Sequence, residues 1–156
     1  MHNGKFGNKM NYSHLEKYFK GKKVFLTGHT GFKGSWMLYW FNMLGADVKG
    51  YALAPEGTAN LFDSIKGNTL CNSIIADIRN KEKLEKEILD FKPDYIFHLA
   101  AQPLVRLSYE TPTETFDVNA IGTANVLNAA RFLNQPCIIV SITTDKVYEN
   151  MESHHR

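Results

Sequence analysis

Short apolar runs and longer amphipathic stretches alternate along this chain, and the alternation carries most of its structural information. Lys23-Val24-Phe25-Leu26-Thr27 is an apolar run that stops in a glycine-rich turn, the pattern of a parallel strand buried on both faces. The next block, from Ser35 to Leu44, has the length of a helix and is strongly apolar, and Gly45 marks its stop. Further strands are predicted from Asp47 to Leu53, Ser73 to Ala76, Tyr95 to Leu99 and Cys137 to Ile142. Between Leu53 and Ser73, Pro55, Gly57 and Gly67 predict a loop with one helical turn near Leu61, Phe62 and Ile65. Helices are predicted from Asn80 to Phe91, with Leu84, Ile88 and Leu89 inward, and from about Thr113 to Leu133. Ahead of the first strand, Ser13 and Glu16 stand at capping-box spacing and open a short amphipathic helix to Lys20, which Gly21 ends. Residues 1 to 12 read as a loose polar tail.

Strands alternating with helices in this way imply an α/β fold, a parallel sheet covered by helices. Right-handed crossovers then favour the doubly wound order 3-2-1-4-5 of the Rossmann type. The predicted layout is a tail and short helix over residues 1–20, a dinucleotide-binding domain over 21–150 and a C-terminal tail over 151–156.

Composition narrows the function classes. A net charge of +2 leaves no strong field, and Lys81, Lys83 and Lys86 interleave with Glu82, Glu85 and Glu87 as on a solvated helix face. That arrangement argues against a nucleic-acid stripe. No apolar run has the length of a membrane span, and the N-terminus lacks the apolar centre of a signal peptide, so a cytoplasmic protein is expected. The two cysteines, Cys71 and Cys137, lie in or beside apolar runs without metal-ligand spacing, and are expected to be reduced and structural. No metal site is expected, His154 and His155 included.

The chemistry-bearing positions cluster at predicted strand ends. In Gly28-x-x-Gly31-x-x-Gly34 the first glycine allows the tight turn, the second lets backbone approach a pyrophosphate, and the third lets helix pack on strand. The motif follows a strand and opens a helix, the context that distinguishes a nucleotide site from a structural turn. Lys33 could pair with a phosphate or be solvated. The second strand ends in Tyr51-Ala52-Leu53, with neither the acid that binds ribose hydroxyls nor a base for an extra phosphate. Asp77-Ile78 closes the third strand where an adenine edge would lie, and Asp77 could equally cap the following helix. Ala100 and Ala101 leave room for something flat beside the backbone, whereas His98, inside an apolar strand, reads as a core histidine. Asn119 is a poor helix former that either braces the active-site strand or sits on the surface.

Three strings together are specific. Thr27-Gly28-x-x-Gly31-Phe32-x-Gly34, His98-Leu99-Ala100-Ala101-Gln102 and Thr144-Asp145-Lys146-Val147-Tyr148 resemble the extended short-chain dehydrogenase/reductase family. Fuller strings, such as Gly28-His29-Thr30-Gly31-Phe32-Lys33-Gly34-Ser35-Trp36 and Ala101-Gln102-Pro103-Leu104-Val105-Arg106, are most similar to its CDP-glucose 4,6-dehydratases. The likeness runs from Gly21 to Asn150 and matches only the N-terminal portion of such an enzyme.

The resemblance implies NAD as cofactor, contacted by Gly28, Thr30, Gly31, Phe32, Lys33, Gly34, Asp77, Ile78, Leu99, Ala100, Ala101, Gln102, Asn119 and Thr143. It implies a nucleotide-sugar partner, CDP-glucose, oxidised at C4, dehydrated across C5 and C6, and reduced at C6. Thr144 would hydrogen-bond the reacting hydroxyl, Asp145 would protonate the departing C6 hydroxyl, and Lys146 would help remove the C5 proton. Members of the family form homo-oligomers, for which the helix set here is incomplete. The family's Tyr-x-x-x-Lys pair is expected after Asn150 and is not found there, so the chain is expected to be truncated after strand five and inactive alone. Rival readings are another nucleotide-sugar dehydratase or epimerase, and a non-catalytic dinucleotide-binding protein or gene remnant.

Overall fold

A computed structural model describes residues 13–144; the tail before Ser13 and the segment from Asp145 onward lie outside the described residues. Five strands form one sheet: β1 (Lys23–Thr27), β2 (Asp47–Ala52), β3 (Asn72–Ile75), β4 (Tyr95–His98) and β5 (Ile138–Ser141). All pairings are parallel and the order is β3-β2-β1-β4-β5. This is the doubly wound α/β topology expected from the alternation. Each strand lies within one or two residues of its predicted bounds.

Helices cover both faces, and the direction of each crossover decides which. Steps from β1 to β2 and on to β3 run over one face through α2 (Phe32–Met43) and α3 (Leu61–Ser64), joined there by α1 (Ser13–Phe19). Their core there is Val24, Leu26, Leu38, Phe41, Val48 and Phe62. Steps from β3 to β4 and on to β5 run the other way, so right-handedness puts α4 (Lys81–Phe91) and α7 (Gly122–Ala130) on the opposite face. There Phe25, Tyr51, Ile78, Leu84, Ile88, Ile96, Val126 and Ala129 form a second core. Lys49 crosses this face with its ammonium 2.8 Å from Glu87, tying β2 to α4.

Four expectations need correction. The helix after the glycine motif begins at Phe32, not Ser35, because Gly31 already has the extended backbone of an N-cap and Gly34 fits inside the first turn. The long helix predicted from Thr113 to Leu133 runs without a gap through α6 (Pro112–Phe116), a π turn over Asp117–Ile121 and α7, and ends three residues early at Ala130; a short helix, α5 (Val105–Glu110), precedes it where the pattern predicted none. Pro112 separates α5 from α6, since the residue before a proline is driven from helical geometry, and Thr111 has ψ near 66°. The cap of α4 is Asn80, whose side chain accepts from the Lys83 N–H, so Asp77 has another task. The strands are also not all covered on both faces: Ile138 and Val140 of β5 are exposed.

Candidate functional site

The first strand ends against the fourth, and the glycine turn is shaped by that contact. Gly28 has φ of +73°, and a Cβ there would lie 2.8 Å from the Ala100 backbone nitrogen. A Cβ on Gly34 would lie 1.9 Å from the Gly28 carbonyl oxygen, so the helix can close onto the turn only with glycine. Gly31 differs: its Cβ would meet only the Gly28 carbonyl, at 3.4 Å, and the space in front of it is otherwise open. As N-cap it offers no side chain, so the N–H groups of the first turn of α2 face outward uncapped. An open, uncapped helix start at the strand-order reversal between β1 and β4 is where a doubly wound sheet binds a phosphate-bearing ligand. Thr30 pins the turn to β2 by donating to the Leu53 carbonyl at 2.8 Å, while Phe32 and Lys33 are exposed.

A hydrogen-bonded relay carries this geometry across the sheet. Thr27 Oγ1 accepts from the backbone N–H groups of Leu99 and Ala100, each at 3.1 Å, and is 2.7 Å from His98 Nδ1. With two donors already on that oxygen, its own proton goes to Nδ1, which fixes His98 as the neutral Nε2–H tautomer. Nε2–H then donates to Thr123 Oγ1 at 2.9 Å, and Thr123 donates to the Asn119 carbonyl at 2.6 Å. Burial lowers the pKa of His98, which keeps that tautomer in place. Asn119 completes the relay: its Oδ1 accepts from the Gln102 N–H at 2.8 Å and its Nδ2 donates to the Gln102 carbonyl at 3.1 Å. The π turn at Asp117–Ile121 contains Asn119, an insertion of the kind that often marks functional sites in helices. So His98 is a satisfied core histidine and Asn119 a brace, and together they hold the segment from Leu99 to Gln102 in place.

The other predicted positions divide between the site edge and the core. Asp77 accepts from the Arg79 N–H and guanidinium, and this pairing holds its carboxyl below the usual carboxylate range. The Ile78 side chain is buried against α7 and its carbonyl accepts from Asn125, so any ligand contact it makes is through its backbone. Ala101 is exposed; Leu99 faces α2. Thr143 and Thr144 are exposed just past β5, on the same sheet edge. Asp145 and Lys146 lie outside the described residues. Thus the strand ends bring Gly28–Gly34, Asp77, Ala100–Gln102 and Thr143–Thr144 to one edge.

Reading the sequence alone missed three contributors. Thr27 and Thr123 act through partners 71 and 25 residues away, and the only local signal was the Thr27 hydroxyl in an apolar strand. His29, inside the glycine motif, is fully buried, with Nε2 2.7 Å from Ser73 Oγ and its ring edge-on to Phe62. Gly50 leaves room for that ring, since a Cβ there would lie 2.4 Å from it. Nδ1 has no hydrogen-bond partner, and burial pushes the imidazole down to about 4, against a small opposing effect of the Tyr51 backbone. The histidine thereby anchors the turn to β2 and β3.

Comparison with known proteins fits this edge to a family. A model of the GDP-mannose 4,6 dehydratase family matches residues 25–155. The chain belongs to that family. It is 49% identical over 137 residues to a CDP-glucose 4,6-dehydratase of Salmonella typhimurium, a stretch covering 88% of this chain and 38% of that enzyme. The UDP-glucose 4-epimerase of Thermus thermophilus, solved in complex with NAD, is 32% identical with a TM-score of 0.60 over 70% of this chain and 33% of that one. A UDP-glucose 4-epimerase of Stenotrophomonas maltophila shares the fold, with a TM-score of 0.75 at 23% identity over 86% of this chain and 40% of that one. This family member therefore spans about two fifths of the length of these relatives. Among the described residues no helix is long and apolar enough to cross a membrane, and no cluster could hold a metal ion.

Proposed function

We propose that this chain binds NAD across the β1–β4 crevice and supplies the nucleotide half of a 4,6-dehydratase site for CDP-glucose. The open glycine turn at an uncapped helix start carries the reading, because Gly31 leaves room in front of free helix N–H groups, which suits a pyrophosphate. The 49% identity to the Salmonella CDP-glucose enzyme supports the substrate. The β2 end, Tyr51-Ala52-Leu53, offers no cation for an additional phosphate, which favours NAD over NADP.

Bound NAD supplies hydride acceptance at the sugar and its later return. This chain's own residues serve part of that chemistry. Backbone N–H groups of the α2 start would hold its diphosphate, and the segment braced by Thr27, His98 and Asn119 would border its ribose. Thr144 hydrogen-bonds the C4 hydroxyl, Asp145 gives its proton to the departing C6 hydroxyl, and Lys146 takes the C5 proton. A donor at Asp145 needs a raised pKa and a base at Lys146 a lowered one.

Calorimetric titration with NAD and NADP tests the cofactor reading. The chain should bind NAD more tightly than NADP, and Gly31→Asp should remove the heat while leaving the far-UV circular dichroism unchanged. Equal binding by the parent and Gly31→Asp chains would count against this site.

A further inference from the structure

Asp77 follows β3 at the cofactor edge, and a single residue grips its carboxylate from two sides. Arg79 donates its backbone N–H to Oδ1 at 2.8 Å, while its Nε and Nη2 donate to Oδ2 at 2.9 and 2.6 Å. Backbone and guanidinium thus hold opposite oxygens, so the Asp77 side chain cannot turn without breaking bonds at both. A carboxylate offers about four acceptor positions, two on each oxygen. Oδ2 is filled by the guanidinium, and Oδ1 keeps a single lone pair. The neighbouring carbonyls are also taken. That of Asp77 accepts from the Tyr51 hydroxyl at 3.1 Å and the Asn80 N–H at 3.0 Å, and that of Ile78 from Asn125 at 3.1 Å. What Asp77 presents to a ligand is therefore one acceptor with a fixed direction.

Stability does not account for this arrangement. The Arg79 and Asp77 side chains are 38% and 28% exposed, and an ion pair so open to water adds little to folding. Arg79 also reaches outward, with Nη1 3.4 Å from Glu114 on α6. On the same helix Thr115 accepts from Gln102 Nε2 at 3.0 Å. The guanidinium therefore links the Asp77 side of the cofactor edge to the helix that holds its Ala100–Gln102 side.

We propose that Arg79 is a positioning residue for base recognition, fixing Asp77 so that its remaining lone pair accepts one N–H of the dinucleotide's adenine amino group. The inference rests on the cofactor reading and deepens it, since Arg79 acts through Asp77 and does not itself touch the ligand. A carboxylate held in this way favours a purine with a donor at C6. It rejects one with a carbonyl there, whose oxygen faces a charge that cannot turn away. Without Arg79 the carboxylate rotates freely. The adenine bond then carries the entropy cost of ordering it, and the carbonyl purine escapes the repulsion.

Calorimetric titration of the chain with NAD and with nicotinamide hypoxanthine dinucleotide, in which a carbonyl replaces the amino group, tests this. The parent should bind NAD about tenfold more tightly than the analogue, the range of one hydrogen bond to a charged group. In Arg79→Gln, NAD should weaken by about fivefold while the analogue binds as before or more tightly. Damage to the fold would weaken both alike. Arg79→Lys keeps the charge without the planar fork and should behave like Arg79→Gln, and both variants should keep the parent's circular dichroism. Equal binding of the two dinucleotides by the parent, equal weakening of both in Arg79→Gln, or the full preference in either variant would overturn the proposal while NAD binding stands. A parent chain that binds neither dinucleotide would overturn the cofactor reading and this inference with it.

Discussion

Replacing Thr27 with valine probes the relay at its origin, because valine keeps the shape of threonine and removes only the oxygen. The side chain is fully buried. Its loss strips the acceptor from two backbone N–H groups, those of Leu99 and Ala100, and the donor from His98 Nδ1. A buried polar group left without a partner costs about 1–3 kcal/mol, and the partly buried 99–100 segment can recover some of that from water. We expect Thr27→Val to lose about 2–4 kcal/mol in urea unfolding, against a total of about 5–15 kcal/mol for a domain. The corresponding fall in Tm is about 5–10 °C. Thr27→Ser is the control: it keeps the oxygen and deletes one methyl group, a loss of about 1 kcal/mol. Because valine is the more hydrophobic and the better strand former, packing alone predicts the opposite ranking. If valine is as stable as serine or more so, the relay does not hold the site and the reasoning fails.

Three other outcomes follow from the same geometry. Gly34→Ala, which drives a methyl group into the Gly28 carbonyl, should destabilise the fold by about 2–4 kcal/mol, whereas Gly31→Ala should cost under about 1 kcal/mol and weaken NAD by at least tenfold; urea melts and calorimetry separate the two. His29 has its folded pKa lowered to about 4, so between that value and the unfolded value of 6.5 the unfolded chain holds the extra proton. Its stabilisation is complete above pH 6.5 and falls as pH drops, by about 3 kcal/mol in all at pH 4. His98 adds to this in the same direction, and a resonance assigned to His29 that titrates near pH 6.5 in the folded chain would refute it. Finally, a polypeptide limited to residues 1–156 should form no 4-keto product from CDP-glucose, because residues 142–156 hold no Tyr-x-x-x-Lys to begin C4 oxidation; turnover abolished by Asp145→Asn would show otherwise.

What could be read from the sequence was what local pattern encodes. The strands stand out because each is a short apolar run closed by glycine or a polar turn, and handedness then ordered them. The glycine roles were legible because backbone sterics act within a few residues. The short helix from Val105 to Glu110 was not, because six residues are too few to show a period, and the π turn inside the following helix was hidden because the apolar spacing continues through it. Long-range pairs were equally hidden. Nothing near Thr27 announces His98, and nothing near His29 announces Ser73 or the space at Gly50. The apolar character of α2 was plain, but composition cannot say whether Trp36 and Met43 meet this chain's own core or another surface.

The place of β1 in the middle of the sheet also governs how the protein can be made. β2 reaches one edge of β1 soon after it is synthesised, but the other edge waits for β4, with Thr27 and His98 separated by 71 residues. At about 5–20 residues per second, translation leaves that edge open for roughly 4–14 s, far longer than a strand needs to find a wrong partner. Val24, Phe25 and Leu26, all fully buried in the finished protein, are thus presented on an unpaired edge to neighbouring nascent chains. The strand that organises the cofactor site is therefore the segment most dependent on ribosome-associated chaperones, and fast synthesis from β1 to β4 should raise the yield of soluble protein.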